Sequence, residues 1–446
     1  MKLPLHELSA VEAARRLAAG EMSARAYAQA LIERVAAVEP EVRAWTGFDA
    51  QALLEQADAA DDRRRSGQAV GPLSGVPVGV KDIIDTRFVL TELGTPLHSG
   101  RMPRTDAALV ERMRRAGALM MGKTVTTELA TYAPGKTRNP HHSGHTPGGS
   151  SSGSAAAVAA FMVPLGVGTQ TNGSVIRPAS FCGVVGFKPS FGLIPRRGVL
   201  MQSAPLDQIG VFGRSVADVA MLAQALCGDD AAAEARTPMP ALPLHSVATS
   251  EPPLPPKLAF IRTAFWQRVD ADARAAFEAC AEALGAHVEA IELPLDIEAA
   301  VQTHRLIMEA DLAGSFADEY ARGKEQLSAS LRGQIERGRQ ITAVDYRKAV
   351  ESIADMQAAL DEIFDHFDAI LTPATLGTAP AGLETTGDPL MCTLWTLTGL
   401  PALSLPLLHG ANGLPLGVQL VGRREDDARL LRTARWLTAL VAARSS

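Results

Sequence analysis

The stretch Gly149-Ser150-Ser151-Ser152-Gly153 sets three hydroxyls between glycines, and a second polar turn, Gly168-Thr-Gln-Thr-Asn-Gly173-Ser174, follows between apolar runs. A serine hydroxyl becomes a nucleophile only beside a base that takes its proton. A Gly-containing turn can aim several backbone N–H groups at one point, which suits the oxyanion formed when a carbonyl is attacked. Acyl transfer is the chemistry these residue types suggest. Two kinds of base lie within reach of the pattern. His141, His142 and His145 precede the serine loop. Lys81 ends the apolar run Gly75-Val-Pro-Val-Gly-Val-Lys81, where burial would disfavour its charged form and draw its pKa down towards neutrality. Taken alone, a lysine at a strand end is more often a surface residue with a buried stem. The base therefore stays open at this level.

Two motif matches mislead. Gly117-Ala-Leu-Met-Met-Gly122-Lys123-Thr124 fits the phosphate-loop pattern, yet a phosphate cradle needs a strand before it and free amides in its loop. Here a helical segment precedes it, and Ala118 to Met121 reads as a buried strand. Gly149-Ser-Ser151-Ser-Gly153 fits the nucleophile elbow of α/β-hydrolases, which needs a strand delivering the serine. The residues before it, His141 to Gly148, read as a loop.

Taken together, GVPVGVKD (75–82), PGGSSSGSA (147–155) and GTQTNGSVIRPASFCGVVGFKP (168–189) resemble the signature region of the amidase signature family of serine hydrolases. Their order matches, as does the spacing of 24 residues between Ser150 and Ser174. The likeness is dense from Pro72 to Gly213 and thinner from Leu371 to Gly422, where PATLGTAP and LPLGVQLVGR also resemble the family. The resemblance implies a Ser-Ser-Lys triad: Ser174 as nucleophile, Lys81 as base, and Ser150, after a cis peptide bond, as relay. It maps the oxyanion hole onto the amides of Thr171, Asn172, Gly173 and Ser174. The implied reaction is amide hydrolysis through an acyl-enzyme, with no metal and no organic cofactor. Ser151 and Ser152 have no role in it.

The chain departs from the commonest family pattern at Gln170, where aspartate is usual, at Asn172, where glycine is usual, and at Arg177, with Ile176 in the usual place of arginine. The Asp–Arg pair that would brace the loop is absent. Some family members acting on small acidic amides resemble this arrangement, so Arg177 has two readings: it pairs with a substrate carboxylate, or it braces neighbouring backbone. Tyr132 and the Asn139-Pro140 turn are placed beside the substrate by position alone. Trp395 and Cys182 read as core, Cys182 within a strand-like run Phe181-Cys-Gly-Val-Val-Gly-Phe187.

The elements that must hold these residues alternate. Ser9 with Glu12 reads as a capping box, and Ser23 opens a second helix with Leu31, Val35 and Val38 on one face. From Pro72 onward, Val76 to Val80, a helix from Ala107 to Arg115 and a strand at Ala118 to Met121 give a β/α order. Thr237 to Pro256 holds seven prolines and reads as an exposed connection. Residues 257–368 read as a helical, substrate-shaping elaboration, including Ala271 to Leu284 and Ala343 to Phe367, before strands return at Ala369 to Thr372 and Leu416 to Val421. Length alone allows one to three domains. The returning strands and the resemblance reduce this to one α/β domain over residues 1–446, with a mixed, mostly central β-sheet covered by helices on both faces.

Composition sets the outer bounds. With 47% hydrophobic and 21% charged residues, a chain of 446 residues buries a large core and is neither disordered nor fibrous. A net charge of -6 without long runs of one sign gives no footprint for nucleic acid. Four separated cysteines, no apolar leader in MKLPLHELSAVEAARR and no span of bilayer length fit a reduced, cytoplasmic protein off the membrane. The expected substrate is a small-molecule amide, with a homodimer left open. A free-standing amidase is the leading function. Its rival is the glutaminase component of a transamidation complex, similar to that of an aminoacyl-tRNA amidotransferase.

Overall fold

In the computed structural model, which describes residues 3–228 and 242–445, one mixed sheet runs through the chain. Its eleven strands are β1 (Trp45–Phe48), β2 (Pro77–Lys81), β3 (Leu119–Thr124), β4 (Leu165–Gln170), β5 (Val185–Lys188), β6 (Gln208–Gly213), β7 (Leu258–Ile261), β8 (Val288–Ile291), β9 (Ala369–Pro373), β10 (Ala402–His409) and β11 (Pro415–Val421), in the spatial order β1-β3-β2-β4-β6-β5-β10-β11-β9-β7-β8. The pairs β3–β2–β4 and β9–β7–β8 are parallel, and the strands between and at the β1 edge pair antiparallel.

The helices are α1 (Ala10–Ala18), α2 (Ala24–Val42), α3 (Ala50–Arg65), α4 (Ala108–Arg115), α5 (Ser152–Ala159), α6 (Ile176–Cys182), α7 (Val216–Leu226), α8 (Leu244–Ala248), α9 (Ala271–Leu284), α10 (Ile297–Ser315), α11 (Ala317–Gly323), α12 (Ala329–Gly338), α13 (Ala343–Phe364), α14 (Leu390–Leu397) and α15 (Asp427–Ser445). Strands β2, β4, β5, β6, β9 and β11 are buried along their whole length, which follows from cover on both faces. Helices α5 and α6 pack together over the middle strands, while α7, α8 and α15 form a separate packed group against the same sheet. The small residues Ser152 to Ala159 let α5 sit close to the strands: all but Ala159 are buried.

The sheet makes the chain a single α/β domain, as the alternation of elements implies. Four local readings need correction. Ser9 does cap α1, accepting from Glu12 N, but Glu12 turns to Arg15 and Arg16 instead of returning to the cap, so the box is half formed. Cys182 lies at the end of α6 and not in a strand: Gly183, at φ 66°, stops the helix in the left-handed region and the strand starts at Val185. Residues 237–241 of the proline-rich stretch fall outside the described residues. The rest of it contains α8, whose Leu244 and Ala248 are buried against α7 and α15. The segment 257–368 contains β7 and β8 as well as helices, and both strands extend the sheet beside β9. A four-residue apolar run such as Leu258-Ala-Phe-Ile261 is too short for its period to separate strand from helix.

Candidate active site

Strand β2 and the C-terminal end of β4 lie side by side and parallel, so Lys81 and Thr169 emerge at the same edge of the sheet. The loop from β3 to α5 and the loop from β4 to α6 rise over that edge. Ser150 stands one residue before the N-cap of α5, and Ser174 one residue before that of α6. A crevice at the carboxyl ends of parallel strands is where open α/β sheets place their ligands.

Lys81 is fully buried, and its Nζ donates to Ser150 Oγ at 2.7 Å and to Thr169 Oγ1 at 2.8 Å. Burial drives its pKa well below the ordinary lysine value, and the Asp207 carboxylate opposes that shift without cancelling it. In the neutral amine one lone pair is free, so the Ser150 contact can run the other way, with the hydroxyl donating to Nζ while Nζ donates to Thr169. The peptide bond between Gly149 and Ser150 is cis. A Cβ on Gly149 would lie 2.8 Å from Thr386 Cγ2, so a side chain there would have to displace Thr386.

The neighbouring hydroxyls are spent on the scaffold. Ser151 Oγ donates to Thr169 O and accepts from Thr169 N, both at 3.2 Å, and Ser152 Oγ donates to Val125 O. The histidines also serve loops: His141 Nε2 contacts Cys182 O, and His145 Nδ1 contacts Ala379 O. None of the three histidines lines the cleft at Ser174. In the false phosphate loop, Lys123 is buried in β3 and donates to Ile84 O and Thr86 Oγ1.

Gln170 takes over the bracing for which the sequence showed no partner. Its Oε1 accepts from the amides of Val175 at 2.7 Å and Ile176 at 3.0 Å, and its Nε2 donates to Thr396 Oγ1 at 2.9 Å. The amides just before them, of Thr171, Asn172, Gly173 and Ser174, have no acceptor among the described residues. Asn172 is fixed between Tyr132 Oη, to which its amide donates, and Thr393 Oγ1, from which its Oδ1 accepts. Thr171 is held twice, by donating its hydroxyl to Asp207 Oδ1 and by accepting at its carbonyl from His304 Nε2 at 2.8 Å. Burial lowers the pKa of His304 to about 4, so the ring is neutral at pH 7 and Nε2 carries the proton.

Ser174 opens into a narrow cleft that Tyr132, Asn172, Arg177, Met308 and Gln334 also line. Tyr132, Asn172, Met308 and Gln334 continue into an outer cleft of about 310 Å³, bordered by His304, Arg305, Glu309, Arg337 and Asp388. Arg177 lines the inner cleft, but its tips are engaged: Nη1 donates to Gly387 O, and Nη2 to Gly149 O at 2.8 Å and Thr386 Oγ1 at 3.1 Å. The backbone-bracing reading is therefore the one the contacts support. No pair of guanidinium N–H groups remains free for a bidentate substrate carboxylate. The Asn139 side chain bonds to Thr146 O and Phe181 O and organises its own loop, and Trp395 is buried in α14.

Sequence reasoning missed Thr169, Gln170 as a brace, His304, Thr396 and Gln334. Polar residues ending the apolar strand Leu165–Gln170 were a usable signal for Thr169 and Gln170. His304 and Gln334 reach the site from helices more than a hundred residues later, and no local pattern marks them. Among the described residues no group of His, Cys, Asp and Glu is arranged to hold a metal ion.

The family described as Amidase matches residues 26–431. Over 469 aligned residues, 34% are identical to a component of the glutamyl-tRNA(Gln) amidotransferase of Chloroflexus aggregans, covering 96% of this chain and 95% of that protein. Among solved structures, one from a vestigial protein complex bearing on the origins of an s-triazine catabolic enzyme superposes with a TM-score of 0.90 at 28% identity, covering 97% of this chain and 98% of that one. The native peptide amidase of Stenotrophomonas maltophilia superposes with a TM-score of 0.82 at 27% identity, with 98% of both chains covered.

Proposed function

Because this chain belongs to the amidase signature family, we propose that it cleaves a carboxamide through an acyl-enzyme on Ser174, with Ser150 as relay and Lys81 as base, and that it releases ammonia. The observation that carries this reading is the 2.7 Å contact between a fully buried, pKa-depressed Lys81 and Ser150, at the sheet edge where Ser174 meets its cleft.

Each proton has a place to go. Ser174 Oγ attacks the carbonyl carbon as its proton passes to Ser150 Oγ and the Ser150 proton passes to Lys81 Nζ. The oxyanion is received by the free amides among Thr171 to Ser174. An amide nitrogen leaves only once protonated, so the Lys81 ammonium returns its proton through Ser150 to that nitrogen, and ammonia departs. Water then attacks the acyl-enzyme through the same relay, giving the acid and free Ser174. Asp207 and His304 on Thr171, Tyr132 and Thr393 on Asn172, and the Gly149 and Gly387 carbonyls on Arg177 keep the loop pre-set, which is where electrostatic catalysis gains most.

The fate of the ammonia divides two readings. Whole-length likeness to components of glutamyl-tRNA(Gln) amidotransferases, and to a chain from a protein complex, supports a subunit that hydrolyses glutamine or a similar carboxamide beside a partner protein. This reading has more support than the free-standing amidase favoured by sequence alone. The free-standing reading rests on the likeness to the peptide amidase. Four unpaired cysteines and the absence, among the described residues, of any helix able to cross a membrane fit a cytoplasmic setting for either.

Ammonia release by the purified chain, offered glutamine and simple carboxamides, tests the reaction. Ser174→Ala is expected to lower it at least about 10³-fold. Equal release by the variant would exclude Ser174 as nucleophile. Purification from the native extract separates the two readings. A small set of proteins retained with the chain, together with faster glutamine hydrolysis in their presence, supports the role within a complex. Full activity on simple amides with nothing retained supports the free-standing enzyme.

A further inference from the structure

Among the described residues, two side chains that line the cleft beside Ser174 keep a buried polar atom without a partner, Arg177 at Nε and Gln334 at Oε1. Gln334, on α12, is 6% exposed and lines both the inner cleft, with Ser174, and the outer one. Its Oε1 is buried and has no hydrogen-bond donor among the described residues. The residues that α10 contributes to the inner cleft, Met308 and Leu312, are apolar and cannot supply one.

Most of the cleft's other polar groups are engaged. Arg305 and Arg337 both bond to Glu309, Arg177 to the Gly149 and Gly387 carbonyls, and the Asn172 amide to Tyr132. Arg177 keeps Nε unpartnered, and Gln334 Oε1 is the acceptor left without a donor. A buried acceptor without a donor weakens the empty site and rewards any ligand that brings one, whereas an alkyl group in its place leaves the penalty standing.

We propose that Gln334 selects the acyl part of the substrate, and that this part carries an N–H donor, as in amino-acid, acylamino or ureido amides, in preference to plain aliphatic amides. The inference rests on the amide-cleaving reading of Ser174 and adds the class of substrate to it. Gln334 is a specificity residue and takes no part in moving the proton.

The test compares N-acetylglycinamide with its depsi analogue O-acetylglycolamide, in which oxygen replaces the N–H, with ammonia from the terminal carboxamide as the readout. The wild-type protein is expected to favour the N–H compound by about 10- to 100-fold in kcat/KM. Gln334→Leu is expected to bring the ratio close to one by lowering turnover of the N–H compound. Gln334→Glu keeps an acceptor and removes the donor face of the amide, so it is expected to retain the preference. Equal use of both compounds by the wild type, an unchanged ratio in Gln334→Leu, or a reversed ratio in Gln334→Glu would each overturn the assignment. A serine-reactive fluorophosphonate added to the same protein keeps the two levels apart. Normal labelling of Ser174 with neither amide cleaved overturns the substrate class and leaves the nucleophile intact, whereas no labelling removes the reading on which the proposal rests.

Discussion

Lys81→Met is expected to reduce amide hydrolysis by about 10³-fold or more and, at neutral pH, to raise the melting temperature. Both effects come from one cause. Lys81 is buried, and burial holds its pKa well below 10.5. The activity of the wild type should therefore rise with pH through that lowered value, as the neutral amine that can take a proton accumulates, and the variant should lack this limb.

For stability the sign runs the opposite way from that of a salt-bridged lysine. The unfolded chain holds the Lys81 proton up to about pH 10.5, whereas the folded chain loses it at a lower pH. Folding therefore carries a penalty that is fully present below the folded pKa, shrinks as pH rises between the two values and vanishes above 10.5. Methionine removes the penalty at a similar volume. The gain in melting temperature, on the order of a few degrees at pH 7, should narrow as the pH approaches 10.5. Thermal melts at several pH values and a pH–rate profile check the two halves. A variant less stable than the wild type at pH 7, with the same pH–rate limb, would show that Lys81 is a structural cation.

Ser150→Ala is expected to separate the base from the nucleophile. Lys81 would keep Thr169 as a partner, so the fold should hold. Hydrolysis of an amide should drop by about 10³-fold, and that of an ester with a good leaving group by clearly less, because only the amide nitrogen must be protonated before it leaves. Steady-state rates on a matched amide and ester measure the split. Equal losses on both would place Ser150 in positioning and not in proton transfer.

The sequence made the site legible where chemistry and backbone coincide. Lys81 at the end of a valine-rich strand and Ser174 after a polar turn sit at the ends of elements whose apolar patterns are local and strong. The parallel pairing of β2 with β4, which brings Lys81 beside Thr169, is a long-range fact that neither run states. The rejection of the elbow and phosphate-loop matches rested on context, and the structure gives both serine and lysine scaffold roles: Ser151 clamps the Thr169 backbone, and Lys123 lies inside β3.

What escaped the sequence was mostly competition among partners. Glu12 had two arginines one turn away and took them in preference to its cap. Arg177 could reach a substrate or the Gly149 carbonyl, and only the fold decides which. Gln170 looked like the loss of a charged brace, yet one amide side chain now bonds two backbone N–H groups and Thr396. The strands β7 and β8 were hidden because four-residue runs have no readable period, and the helices that bring His304 and Gln334 to the cleft follow them.

The identity of the nucleophile is the claim on which the rest depends, and covalent labelling addresses it most directly. A fluorophosphonate should form a single adduct, and fragmentation of the labelled peptide should place it on Ser174, with no label in Ser174→Ala and slow labelling in Lys81→Met. An adduct found on Ser151, or one that persists at the wild-type rate without Ser174, would contradict the account.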